Sequence, residues 1–209
     1  MELEQLGWNA LTISIIGTFC FSVLGNFGLW KQNRAIWQAR SGESVSILFM
    51  SFSLAYFVAG FMYGLNAGLK MLIFHCAGRI TFHIPILIGL WKYKGFARSD
   101  KLLSTVFLSA ALITYFPYIM KIMFLMFSVG NVLAYLAQPW EIFWNKSKGT
   151  VEPKLHLVYC ASSTFWSIYG FTLNDPVLKV SVPPNILISI LVIALCLKYK
   201  NTSKQVALG

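Results

Sequence analysis

Long apolar runs, each close to the length that crosses a bilayer, alternate along this chain with short polar turns. A span needs about 20 mainly apolar residues. On that rule the pattern predicts seven helices, at roughly 9–31, 44–66, 69–91, 101–116, 119–143, 153–172 and 180–198. The connections are short, so consecutive helices are expected to lie as antiparallel neighbours. Phe116-Pro117-Tyr118 separates the fourth from the fifth, because proline disfavours helical geometry in the residue before it.

The pattern also repeats. Sliding the chain by 106 residues lays 21–94 on 127–200 without a gap. Phe21-Ser22-Val23 then meets Phe127-Ser128-Val129, Gln32 meets Gln138, Tyr63-Gly64 meets Tyr169-Gly170, and Lys92-Tyr93-Lys94 meets Lys198-Tyr199-Lys200. Of 74 aligned pairs 16 are identical, where unrelated apolar segments would share about five. Each copy holds three helices, so the second starts on the same side of the membrane only if one more helix lies between them. The segment near 101–116 supplies it. The predicted fold is an all-α membrane protein of 3+1+3 form: a first three-helix repeat (9–94), a linker helix (95–117), a second repeat (118–200) and a cytoplasmic tail (201–209). Parallel repeats of this kind are expected to hold a binding site between them near the bilayer midplane.

Composition agrees with the pattern. Hydrophobic residues make up 57% of the chain and charged residues 11%, against about 25% charged in a soluble domain. Mean hydropathy is +0.65. The net charge of +10 would suit nucleic acid, but its placement points elsewhere. Of 17 Lys and Arg, 13 fall in the loops after alternate apolar segments, and only Lys70, Lys121 and Lys179 on the opposite side. That positive-inside bias predicts an external N-terminus and a cytoplasmic C-terminus. The opening MELEQLGWNA is acidic where a signal peptide would be basic, so no cleavable signal is expected. Cys20, Cys76, Cys160 and Cys196 sit singly in apolar stretches and form no metal-ligand spacing. No paired carboxylates, Ser/His/Asp set or phosphate-cradling loop shares one depth, so neither catalysis nor a cofactor is expected.

The candidate chemistry lies where polar or helix-breaking residues interrupt the apolar runs, since these are costly in a membrane unless they face a cavity or a neighbouring helix. Pro139 and Pro153 flank the basic turn between the fifth and sixth segments, and each is expected to kink its helix. Trp166 and Asn185 are 19 residues apart on adjacent segments, which brings both to mid-depth. An indole face stacks on a flat or sugar-like ligand, and an amide offers donors and an acceptor. The alternative is a lipid-facing Trp166, with Asn185 capping the helix after Pro183-Pro184. The offset of 106 pairs these two with Gly60 and Arg79. A guanidinium at mid-membrane depth costs at least ~2.5–3.5 kcal/mol unless water, a carboxylate or a ligand meets it. His75 and His83 flank Arg79 at i−4 and i+4, so the three share one helix face. The stripe can bind an anion, relay protons, or be satisfied by Tyr, Ser and carbonyl partners and carry nothing.

On these motifs the chain resembles the SWEET and PQ-loop group of small transporters. Gln138-Pro139 resembles the paired Pro/Gln of that group, and Asn145-Lys146-Ser147 followed by Pro153 resembles its basic turn and helix-opening proline. Trp166-x-x-Tyr169-Gly170, Asp175-Pro176 and Pro184-Asn185 resemble its sixth- and seventh-helix signatures. The resemblance implies a substrate site of Trp166, Asn185, the small residue Gly60, and Arg79 where the group commonly has a second Asn. It implies hinges or gates at Pro139, Pro153, Gln138 and Gln32. The first repeat departs from the pattern, with Asn33 opposite Pro139 and Ile47 opposite Pro153, so gating is expected to lean on the second repeat. The implied function is alternating-access transport of a sugar or a carboxylate-bearing metabolite or amino acid, facilitative or proton-coupled. The alternative is a ligand or peptide receptor resembling the KDEL receptor. The expected partners are the solute and the lipid bilayer, with self-association left open and nucleic acid excluded.

Overall fold

The computed structural model describes residues 7–42, 45–147, 151 and 153–199. The expected tail at 201–209 and Lys148 of the basic turn lie outside them. Among the described residues there are eight helices: α1 (Ala10–Ala39), α2 (Ile47–Ala67), α3 (Lys70–Tyr93), α4 (Arg98–Ile113), α5 (Met120–Asn145), α6 (Pro153–Thr172), α7 (Pro176–Ser181) and α8 (Pro183–Lys198). The first six match six predicted spans, and α7 and α8 together make the seventh. Five segments, namely α1, α2, α3, α5 and α7–α8 taken as one, are each long and apolar enough to cross a membrane. The chain is a multi-pass membrane protein.

Local chemistry explains where the helices start and stop. The Ser46 hydroxyl accepts the Phe49 N–H at 3.2 Å and opens α2, and Gly68 closes it in the left-handed region at φ 70. The Asp175 carboxylate accepts the Leu178 N–H at 2.8 Å and opens α7, so the last span begins at Pro176 rather than near 180. It breaks at Val182, ahead of Pro183, as expected where a proline cannot continue the preceding turn's hydrogen bonding. α1 runs eight residues beyond its expected end at 31. The stretch Lys31–Ala39 holds no Gly or Pro, so the helix continues after its apolar run has stopped. Pro153 is the first residue of α6, where a missing N–H breaks no helical bond. It therefore starts a helix and does not kink one, contrary to expectation. The internal prolines are Pro139 in α5 and Pro85 in α3.

The described residues divide into two compact units, 19–127 and 128–199, the second including 7–18. In the first unit α3 packs on α2 and also on α1, so chain neighbours are not the whole of the packing. Phe19 of α1 stacks on Phe74 of α3 at 5.1 Å between centroids. Trp37 donates its indole N–H to the Pro85 carbonyl at 3.1 Å. Small residues permit this approach: a Cβ at Gly78 would overlap the Asn26 side chain, and one at Gly89 would lie 3.0 Å from Ile36 and from Trp37. The linker α4 lies on α2, with Ser104 donating to Ser51 at 2.7 Å and Phe52 meeting Phe107 edge-on. In the second unit α8 packs against α6, and its Ile188, Val192 and Cys196 share a core with Ile142 of α5.

The 106-residue offset recurs in the backbone. α1 and α5 end at 39 and 145, α2 and α6 begin at 47 and 153, and α3 and α7 begin at 70 and 176. Left-handed residues recur at the same spacing: Arg40 and Lys146, both at φ 49, and Gly68 and Asn174, at φ 70 and 57. Buried Ile36, Ile86 and Leu90 in one core correspond to Ile142, Val192 and Cys196 in the other. Tyr63 and Tyr169 are both fully buried.

Candidate functional site

In the first unit, the stripe on α3 gathers round one side chain of α2. The Phe57 ring lies 5.7 Å from the His75 ring, 5.3 Å from the His83 ring and 5.7 Å from the Arg79 guanidinium carbon. The eight-residue spread of the stripe covers about 12 Å of helix, and Phe57 sits against its middle. His75 and Ser22 of α1 share a hydrogen bond at 2.7 Å through Nδ1. His83 is buried, and its Nδ1–H donates to the Arg79 carbonyl at 2.8 Å. A serine hydroxyl thus meets His75 and a main-chain carbonyl meets His83. Arg79 itself is partly buried, and a Cβ at Gly25 of α1 would overlap its guanidinium.

Gly60 is also buried in this unit. A Cβ there would come within 2.8 Å of the Cys76 sulfur and 3.1 Å of Phe124, so the glycine sits where α2 meets α3. Gly64, one turn on, meets Ile73 and the Leu69–Ile73 backbone in the same way. Gln32 lies partly buried in α1 and Gln138 partly buried in α5, each seven residues before its helix ends. Pro139 is buried within α5, where it has no N–H to donate to the carbonyl four residues earlier.

In the second unit Trp166 is buried, not lipid-facing, and meets Tyr169 edge-on at 5.5 Å. Asn185 is the third residue of α8, and its own N–H donates to the Val182 carbonyl at 3.0 Å. Its side chain caps nothing: the buried Oδ1 has no hydrogen-bond partner among the described residues. The Ser167 hydroxyl, beside Trp166 in sequence, is in the same condition. Buried polar atoms are nearly always satisfied, so such exceptions call for a physical reason. The two residues stand on helices that pack together, α6 and α8. Sequence reading passed over Ser167, and also His156, a buried histidine near the start of α6 whose ring meets Tyr159 at 5.7 Å. Neither carried a spacing signal in the sequence.

Three comparisons bear on this arrangement. Residues 118–204 match the family model described as a sugar efflux transporter for intercellular exchange. Over 73 residues the chain is 37% identical to the sugar transporter SWEET1 of Rattus norvegicus, a match covering 35% of this chain. It spans 33% of that relative's length. A solved eukaryotic SWEET transporter superposes with a TM-score of 0.72 at 17% identity, over 90% of this chain and 99% of that one. The resemblance to the SWEET group therefore holds in sequence within a stretch centred on the second repeat and in fold across 90% of the chain, which has the seven-segment SWEET architecture.

Proposed function

We propose that this chain is a carrier that moves a small polar solute, a sugar in the first instance, across the membrane by alternating access. The observation that carries this reading is the match of residues 118–204 to the sugar efflux family. In this reading Trp166 and Asn185 hold the body of the solute. A buried amide oxygen without a partner costs about 1–3 kcal/mol, and a solute hydroxyl donating to Asn185 Oδ1 recovers that cost. The indole face covers the apolar face of a sugar ring. Pro139, inside α5, is the hinge, and a hinge at Pro153 acts at the entrance to α6. Gln138 and Gln32 are the gate positions that accompany them, and Gly60 serves the packing of α2 on α3.

In this reading His75, bonded to Ser22 of α1, and His83, bonded to the Arg79 carbonyl within α3, serve structure, so transport is facilitative and does not need a proton gradient. The C-terminus is cytoplasmic, and a reporter fused after Gly209 is expected to be active only on that side. The test is uptake of labelled glucose into proteoliposomes of the purified full chain, with and without a pH gradient. Time-dependent uptake that Asn185→Ala reduces and that ignores the gradient is the expected result. Tight binding without turnover would favour the receptor reading instead.

A further inference from the structure

α3 and α4 both pack on α2. Between the end of α3 and the start of α4 a groove of about 450 Å³ remains, lined by Leu87, Ile88, Trp91, Phe96 and Lys101. Leu87, Ile88 and Trp91 share one face of α3, at spacings of three and four residues. Leu87 and Phe96 also pack against the core of Ile36, Ile86 and Leu90, so the fold fixes the floor of the groove. Ile88 and Trp91 make its outer wall, 47% and 64% exposed. The lining is apolar except at Lys101. The groove is built with the linker helix, which the repeat does not contain.

The charge beside it is one-sided. Residues 92–101 hold Lys92, Lys94, Arg98 and Lys101 against Asp100. The Asp100 carboxylate accepts the Ala97 N–H at 3.0 Å, Lys94 donates to the Val45 carbonyl at 2.8 Å, and Lys92 lies over the Trp37 and Tyr93 rings. Arg98 and Lys101 are exposed. The helix that carries the groove is long and apolar enough to cross a membrane, and tryptophan favours the level of the lipid headgroups. An apolar groove at that depth takes a lipid chain, and cations at its head select the lipids whose headgroup is anionic. We propose that the α3–α4 groove is a seat for an anionic phospholipid, with an acyl chain along Ile88 and Trp91 and the phosphate at Arg98 and Lys101. On the orientation proposed above this end faces the cytoplasm, where the leaflet carries anionic lipid. Binding there needs no transport and stands apart from the carrier reading.

The experiment is native mass spectrometry of the purified full chain in detergent, titrated with phosphatidylglycerol and with phosphatidylcholine of the same acyl chains. Melting temperatures are taken for each variant. A cation near the headgroups contributes about 5-fold in affinity, so wild type is expected to prefer phosphatidylglycerol by roughly 25-fold. Arg98→Ala and Lys101→Ala each leave about a 5-fold preference, and the double variant leaves none. Lys101→Arg keeps it. Ile88→Trp narrows the groove without touching either cation and abolishes tight binding. Lys31→Ala/Arg34→Ala, which removes the same charge from α1, changes the preference by less than about 2-fold.

Equal binding of the two lipids by wild type would overturn the anionic seat. So would a preference kept by the double variant with its melting temperature unchanged, or one lost equally in Lys31→Ala/Arg34→Ala. Full affinity in Ile88→Trp would show that charge alone gathers the lipid and would overturn the groove. Glycerol 3-phosphate binding as tightly as phosphatidylglycerol would make this a site for a small free anion and overturn the lipid. If the double variant does not fold, Lys101→Ala and Ile88→Trp decide the question by themselves.

Discussion

The two repeats share a backbone and differ in their polar atoms. Helix ends and starts, the left-handed residues Arg40 and Lys146, and three core positions recur at one offset. Polar chemistry does not. In the first repeat the side-chain amide oxygens of Asn26 and Asn33, which have no hydrogen-bond partner among the described residues, sit on α1, while α3 carries a cation and two bonded histidines. In the second, the orphaned oxygens of Ser167 and Asn185 sit on α6 and α8. Position 26 is matched by Val132, and position 33 by Pro139. The difference teaches that the scaffold tolerates large exchanges of side chains at fixed backbone positions. Repetition identifies the framework, and departure from it identifies where each half is specialised.

If the cores are equivalent, breaking them should cost the same. Ile36→Ala and Ile142→Ala should each destabilise the protein by about 2–5 kcal/mol, read as matched falls in melting temperature in detergent. A loss confined to one of them would break the equivalence. A smaller effect, about 1–3 kcal/mol, is expected from Gly60→Ala, because the added methyl meets Cys76 and Phe124. A melting temperature unchanged by that substitution would mean that α2 and α3 part easily at this point. Asp175→Ala should cost about 1 kcal/mol through loss of the α7 cap. Its counterpart Leu69 makes no side-chain cap to α3, so this term is special to the second repeat. Of about the same size and opposite sign, Arg40→Gly and Lys146→Gly should each stabilise by roughly 1 kcal/mol by relieving a left-handed backbone. Destabilisation in either case would show that the basic side chain does something glycine cannot.

Much of this was legible in the sequence because bilayer physics leaves few solutions. Apolar run length gave the spans and the offset gave the repeat, even where Ile47 replaces Pro153 and the identity is thin. Run length said nothing about helix past the apolar region, so the Lys31–Ala39 extension was missed. Nor could it distinguish a proline inside a helix from one that starts it, which is why Pro153 was expected to bend α6. The stripe of His75, Arg79 and His83 was visible from spacing alone, but its partners were not. Phe57 and Ser22 lie on other helices, and only the packing of α3 against both α1 and α2 brings them to it. The unpartnered state of Asn185 Oδ1 was likewise beyond reach, since proline-rich openings make an asparagine look like a cap.

The central claim is that one framework is used twice and that the body of the solute is held by the second copy. Equilibrium binding of glucose to the purified protein, for exchanges at paired positions, tests it most directly. Asn185→Ala and Trp166→Phe should each weaken binding by about 10-fold, roughly 1.4 kcal/mol, while Arg79→Asn and Gly60→Ala change glucose affinity by less than about 3-fold. Equal losses at the paired positions, or losses confined to Arg79 and Gly60, would contradict the account.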